Sequence, residues 1–505
     1  VGSRGLGDVY KRQGKAMAFA PRIREELTQI CGSKWVKDDE VTLYTYRSDG
    51  LTLYTKLPMG IVYPANSEEL VRVVKVLYRE KLTFLARGAG TGLSGGAVPQ
   101  EDTVIIEMDR LKEIHDIDYI NRTIAVGPGV VNLRISEKVR PNGYHFVPDP
   151  SSQKACTIGG NVAENSGGPH TLKYGVTVNH VLGMEVVLPD GELIQVGGDF
   201  HNQPGPDLLG LINGSEGTFG IVTKVVCRLT PNPEKAVTLL GIFDSVRCAC
   251  DAVSAVIRSG TVPAALELID KTVIYAVEQT LKPGFPQDAE AVLIVELEDL
   301  TDGIGNDAAK VEELLMQNGA QKVERAKDDA ERARIWRARK ESFGAIGRIS
   351  PSYYVQDGVI PRSKLPEVIE QVEAIGKKYN LTVANVFHAG DGNLHPLILY
   401  NYKDADEVER THHAGEEILK ACLSCGGALS GEHGIGLEKR KLMTDLYSEN
   451  DLENMNWVRE CFNPESLLNP SKAIPTPGRC GESKRPVHIS DDVAASKMVA
   501  RKSGV

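Results

Sequence analysis

The sequence predicts an α+β protein in two main parts. Three observations carry that reading. Helix-like and strand-like stretches intermix along the chain with no fixed-period repeat. The glycine-rich run RGAGTGLSGG (87–96) lies between two strand-like stretches, LTFLARG and TVIIEM. Composition changes at PNPEK (231–235), which divides one block of elements from the next.

The elements follow in order. A short amphipathic helix covers about 22–31, and MGIVYP (59–64) is a strand closed by proline. SEELVRVVKVLYREK (67–81) is a helix with Ser67 as N-cap and Leu70, Val73, Val74 and Leu77 on one face. Strands follow at 82–88, 103–108 and 122–130, then a helix near 131–140. Residues 151–230 are rich in Gly, Asn and Ser until VLGMEVVLPDG, a strand with a turn, and IVTKVVCRLT (221–230) closes the first part. Beyond it come a helix near 246–259, a strand at 291–298, a helix at 303–318 and a charged helix at 328–347. Strands around 353–360 and 382–387 flank a helix at 363–379, and helices follow at 404–425 and 438–447. The expected division is a non-native or disordered leader at 1–21, a first domain at 22–233, a second at 234–478 and a polar tail at 479–505.

The totals exclude several classes. The 505 residues are 41% hydrophobic and 25% charged, with net charge −10. That balance gives no broad attraction to nucleic acid or anionic membrane. No apolar run reaches the roughly 18–20 residues of a membrane helix. Nine cysteines, an odd number at irregular spacing, indicate reduced thiols and a cytoplasmic protein. Cys422 and Cys425 have no second pair for a zinc ribbon or a four-cysteine cluster, and are expected to pack a helix.

Gly90, Gly92 and Gly95 satisfy G-x-G-x-x-G, but AVPQEDTVIIEM follows, so no helix opens at the third glycine, which argues against a Rossmann site. Successive glycines still let backbone N–H groups converge on an anion. Two more Gly/Ser/Thr-rich runs, 148–175 and 214–223, share this domain and suggest a long ligand with a pyrophosphate. RGAGTGLSGG, then PDPSS…TIGGNVAENSGG…KYG, then GSEGTFGI resemble the FAD site of the vanillyl-alcohol-oxidase (PCMH-type) flavoproteins over about 55–230. The resemblance implies a PCMH-type FAD-binding domain of two α+β subdomains. It also implies an α+β substrate domain after it, and a C-terminal helical segment returning to the first. With no histidine in the first loop, FAD is expected to be non-covalent. The implied contacts are Arg87, Gly88, Gly90, Thr91, Gly92, Ser94, Gly95, Pro148, Asp149, Ser151, Thr157, Gly159, Gly160, Asn161, Glu216, Gly217 and Ile221.

In VFHAGDGNLHPLIL (386–399), His388 and His395 flank a turn of glycines between two strands, and SGEHGIG (430–436) pairs Glu432 with His433. A lone histidine there would cap a turn or fill a core. Two histidines and a carboxylate also make a metal site with open positions. Both motifs resemble signatures of the C-terminal domain of FAD-linked 2-hydroxy acid dehydrogenases. That resemblance implies a divalent metal (Zn, Mn or Fe) on His388, His395 and Glu432, with His433 as base. It implies a substrate-carboxylate arginine at Arg339, with Arg348 as fallback. The stretch 338–362 is most similar to the glycolate oxidase D-subunit branch; D-lactate- and D-2-hydroxyglutarate-oxidising branches share the motifs. Expected partners are a small 2-hydroxy acid and an electron acceptor. That acceptor is either a second flavin-domain subunit with an iron–sulfur subunit or an electron-transferring flavoprotein. Such subunits could hold the chain at the inner face of the membrane. A flavin subunit that only relays electrons, or an NADPH-dependent flavin reductase, would keep the glycine loops without the His/Glu set.

Overall fold

The computed structural model describes residues 19–100, 102–199 and 204–475. The expected leader up to residue 18 and the expected polar tail lie outside the described residues. Phe19 and Pro21, assigned to the leader by that reading, belong to the fold: Phe19 packs under Gly60, and Pro21 opens the helix Pro21–Cys31.

The first part holds two sheets. One has four strands in the order Val36–Lys37, Gly60–Val62, Thr103–Glu107, Thr83–Arg87, the last three parallel. Helix Ser67–Arg79 covers it with Leu70, Val73, Val74 and Leu77. Its N-cap is Asn66, not Ser67: Asn66 Oδ1 accepts the N–H of Glu69 at 2.9 Å. Ser67 Oγ instead donates to Glu185 Oε1, reaching the neighbouring sheet. That second sheet is antiparallel, ordered Ile114–Asp118, Thr123–Val126, Ile221–Arg228, Val181–Val187, Leu193–Gly197. Its two edge strands escaped the sequence reading because they are largely solvated and carry no apolar run. Residues 88–96 form turns and bends with no helix, as the proline and polar residues after them require.

The second part is a large antiparallel sheet. Strands Ala265–Asp270, Ala291–Asp299 and Thr382–His388 lie side by side at its centre. They are buried on both faces, and side chains alternate between two cores. Leu266, Leu268, Leu293 and Val295 face helices Val246–Arg258, Ile304–Gln317 and Leu365–Lys378. Ala265, Ile269, Val292, Ile294 and Val386 face the opposite way, towards helices Lys271–Thr280 and Asp329–Lys340. The charged helix expected at 328–347 breaks at Glu341 into Asp329–Lys340 and Ser342–Ile346. The helix expected at 438–447 is only a 3-10 turn and one α-turn, and helix Glu449–Phe462 follows.

The chain end returns to the first part. Phe84 and Leu468 form a parallel bridge, with Phe84 N–H on Leu467 O at 2.9 Å and Asn469 N–H on Phe84 O at 2.7 Å. Lys472 Nζ, fully buried, donates to Gly96 O and Val98 O beside the glycine loop. Among the described residues no helix is long and apolar enough to cross a membrane. The eight described cysteines are free thiols, and Cys422 packs in the core at the end of helix Ala405–Ser424. Because Leu468 is fully buried in the first part's core, Leu468→Ala is expected to cost about 2–4 kcal/mol. Denaturant unfolding checks this: the midpoint falls, and an unchanged midpoint would mean that the return strand adds nothing to that core.

Candidate active site

The glycine loops enclose a cavity of about 400 Å³ between the two parts. Their close packing explains the glycines. A Cβ on Gly88 would lie 2.2 Å from Thr157 Oγ1, and Gly90 holds φ +66° with Arg87 folded over it. Of the implied cofactor contacts, Arg87, Gly88, Gly90, Thr91, Gly92, Ser151, Thr157, Gly159, Gly160, Asn161, Glu216, Gly217 and Ile221 line this cavity. Ser94, Gly95, Pro148 and Asp149 do not. Ser94 O accepts the N–H groups of Leu437 and Glu438, and Gly95 packs on Leu437. Pro148 O accepts from Asn132. Asp149 is turned to His170 and Lys340. The sequence reading missed Glu164, Lys340, Phe343, Tyr353 and Asn469, which also line the cavity; no pattern marks these single positions.

His395, Glu432 and His433 line the same cavity. Strand alternation sets the histidines. His388 pairs across the sheet with Glu267 on the face that carries Val386 and Ile269, and His395 shares that face with Leu397 and Leu399. His388 Nδ1 meets Glu267 Oε1 at 2.7 Å, and His395 Nδ1 meets Gln356 O at 3.2 Å. With both Nδ1 edges engaged, both Nε2 atoms point to Glu432 Oε1, at 3.3 and 3.1 Å. Three ligand atoms thus lie within 4.8 Å of one another. Burial works against the charged form of His388, but Glu267 and Glu432 outweigh it and hold its pKa well above the usual value. Burial also raises Glu432, yet the two imidazoles hold it well below the carboxylate range. The donor set therefore favours positive charge at its centre, and two imidazole nitrogens with one carboxylate fit a divalent ion.

Asp357 fixes the loop that carries Glu432 and His433. Its carboxylate accepts the Ser430 hydroxyl at 2.5 Å, the His433 N–H at 2.9 Å and Lys439 Nζ at 3.0 Å. From the first part, Glu216 accepts the N–H groups of Ile435 and Gly436 at 2.6 and 2.7 Å. His433 stacks on His395 with 4.8 Å between centroids. Burial pushes its imidazole down to about 4, so it is neutral at neutral pH.

The structure does not bring Arg339 to the cavity wall. Its guanidinium is fully buried and grips Glu267 through Nε at 2.7 Å and Nη2 at 2.6 Å, with Nη2 3.4 Å from His388 Nδ1. In this position its contacts towards the site are Glu267 and His388. Arg348 is exposed at a helix end. Between the two parts, His170 Nδ1 contacts Asp149 Oδ2 at 3.0 Å, and its Nε2 faces Glu296 Oε1 at 3.5 Å. Glu296 is also held by Arg332, Trp336 and Thr238.

Residues 232–473 match the FAD linked oxidases, C-terminal domain, and residues 58–197 match an FAD binding domain. The glycolate oxidase subunit GlcD of Escherichia coli K12 is 46% identical over 88% of this chain and 89% of its own length. GlcD of Bacillus subtilis is 34% identical over 89% of this chain and 96% of its own. A D-lactate dehydrogenase of Archaeoglobus fulgidus is 32% identical over 82% of this chain and 91% of its own. The fold also matches 4-ethylphenol oxidase from Gulosibacter chungangensis, with TM-score 0.78 at 18% identity over 91% of this chain and 97% of that one.

The His170 contacts set a pH dependence. Burial disfavours its charged form, but Asp149 and Glu296 push its pKa up to about 10 from 6.5. A raised folded pKa stabilises fully below about 6.5, and that share is lost as pH rises towards about 10. Unfolding measured across this window is expected to show a declining stability that His170→Gln flattens. Equal slopes in the two proteins would contradict it.

Proposed function

The chain belongs to the FAD-linked oxidases, and from that premise we propose that it oxidises glycolate to glyoxylate with a divalent metal and passes the electrons to a partner protein. The chain is an FAD-dependent hydroxy acid oxidoreductase, as its glycolate oxidase and D-lactate dehydrogenase relatives support. The observation that carries the finer reading is the aim of two Nε2 atoms and one carboxylate at a single point beside the glycine-loop cavity.

The reaction removes a proton from oxygen and a hydride from carbon. When bound, FAD supplies the hydride acceptor and the metal supplies Lewis acidity towards the hydroxyl. The wall of Arg87, Gly88, Gly90 and Thr157 would hold the cofactor, and His388, His395 and Glu432 would hold the ion. Glu267 and the Gln356 carbonyl keep the two Nδ1 edges engaged, so each Nε2 stays available. His433, kept neutral by burial, takes the hydroxyl proton on its imidazole. Phe343 and Tyr353, stacked at 6.3 Å, supply an apolar wall to the cavity.

Support for glycolate comes from the E. coli and B. subtilis relatives, whose names also call them subunits of a glycolate oxidase. The acceptor is accordingly a second flavin-domain subunit with an iron–sulfur subunit, or an electron-transferring flavoprotein. Through it the chain would sit in the cytoplasm, at the inner face of the membrane. D-lactate is the second reading, favoured by the archaeal relative.

Anaerobic mixing of the FAD-loaded protein with glycolate, D-lactate, L-lactate and D-2-hydroxyglutarate tests this. Glycolate is expected to bleach the flavin fastest. Chelation should abolish bleaching, and a divalent metal should restore it. Fastest bleaching by D-lactate would replace the substrate, and bleaching that survives verified metal removal would remove the metal from the reaction. His433→Gln is expected to slow bleaching roughly 10²–10⁴-fold with FAD still bound. An unchanged rate would remove His433 as base.

A further inference from the structure

We propose that a second, smaller cavity behind His388, His395 and Glu432 is the passage by which the divalent ion reaches them, with Asp391 as the first carboxylate that the ion meets. The inference rests on the reading of those three side chains as a metal site. The smaller cavity has a volume of about 180 Å³ and meets the glycine-loop cavity at Glu432, the one wall residue that both share. His395 and His433 line the larger cavity, and His388 lines the smaller one. The three side chains therefore stand as a partition between the two. FAD takes the larger cavity when bound, so an ion that exchanges with solvent needs a separate way to the same ligands. Thr171 and Val176 in the wall of the smaller cavity are partly exposed, while His388 and Asn393 are buried. The cavity thus runs inward from the surface to the partition.

The wall has the chemistry of a cation path. No Lys or Arg stands among its described residues. Asp391 Oδ1 accepts the Asn393 N–H at 3.0 Å, which leaves Oδ2 without a hydrogen bond among the described residues. Asn393 is 5% exposed, and its Oδ1 has no partner. Glu432 turns Oε1 to both histidines and Oε2 to the smaller cavity, where a Cβ on Gly167 would lie 3.0 Å from it. Oxygen acceptors therefore extend from Asp391 and Asn393 to Glu432. A divalent ion that sheds water inside a protein needs such oxygens in succession, because an apolar passage would leave its charge uncompensated. Gly167 keeps the inner end open: its Cβ would also lie 2.7 Å from Thr171 Oγ1. The chain thus keeps space at the point where the passage meets Glu432.

The test uses FAD-loaded, chelator-stripped protein with Zn²⁺ as the probe. Uptake is followed by the loss of free ion to a zinc-responsive dye, and release by transfer into excess chelator. Val176→Trp fills the passage from a residue that is not a ligand. It is expected to slow uptake and release by the same factor, roughly tenfold or more, with the dissociation constant unchanged, because a barrier on the route acts on both rates alike. Thr171→Phe fills the passage from a second wall and should do the same. Asp391→Asn, which removes the charge and leaves the space, should slow uptake roughly three- to tenfold. Removing FAD should return fast exchange to the two filled variants, since the larger cavity then offers another way. Exchange unchanged in both filled variants overturns the proposal, as does wild-type uptake that FAD loading blocks. A weaker dissociation constant with unchanged uptake also overturns it, since the cavity would then be part of the site and not its entrance. If wild type binds no Zn²⁺, the metal reading fails and the passage with it. If wild type binds Zn²⁺ and both filled variants exchange it as fast, the passage alone fails.

Discussion

The histidine end of the cavity depends on one loop clamped by two buried carboxylates from different parts of the chain. Asp357 holds Ser430, the His433 N–H and Lys439, while Glu216 holds the N–H groups of Ile435 and Gly436. Residues 430–436 contain three glycines, so their backbone is costly to order. Charge-assisted hydrogen bonds at both ends offset that cost and leave Glu432 and His433 one position each. Asp357 directly precedes strand Gly358–Val359, which pairs with Asn393–Leu394 inside the histidine turn. The loop and both histidines are thereby tied to one short stretch of sheet. Glu216 ties the same loop to the flavin-binding part.

Side-chain alternation does the rest. Every second residue of the central strands faces the cavity side, so Glu267, Glu296, His388 and His395 emerge from an apolar layer of Val, Ile and Leu. Burial makes each unpaired charge costly, and the layer is therefore laced with complementary partners: Arg339 on Glu267, Arg332 and His170 on Glu296. Adjacent residues of a single helix serve two ends. Arg339 turns inward to the sheet, and Lys340 turns to the cavity.

The glycine loops and the His/Glu set were legible in the sequence because each is a local spacing with a chemical requirement. Gly88 and Gly90 leave no room for a Cβ against Thr157 and Arg87, and His388 and His395 straddle a tight turn. The strand–loop–strand form of 82–108 was legible for the same reason, since a proline and polar residues follow the glycines. Partners set by tertiary register were not legible. Glu267 meets His388 across 121 positions of chain. Asp357 looks like an ordinary turn residue in VQDG, yet it anchors a loop more than 70 residues away. The arginine-rich run 332–339 gives no sign which cation turns to the sheet, because a strand on the far side decides it. Edge strands such as Leu193–Gly197 lack a buried face and leave no apolar pattern.

Metal binding to the FAD-loaded, chelator-stripped protein, measured by titration calorimetry in the wild type and in Glu432→Gln, tests the convergence of His388, His395 and Glu432 most directly. One divalent ion per wild-type chain is expected, with that binding lost or weakened at least tenfold in Glu432→Gln while FAD stays bound. The same stoichiometry and affinity in both proteins would mean that the three side chains do not form the metal site.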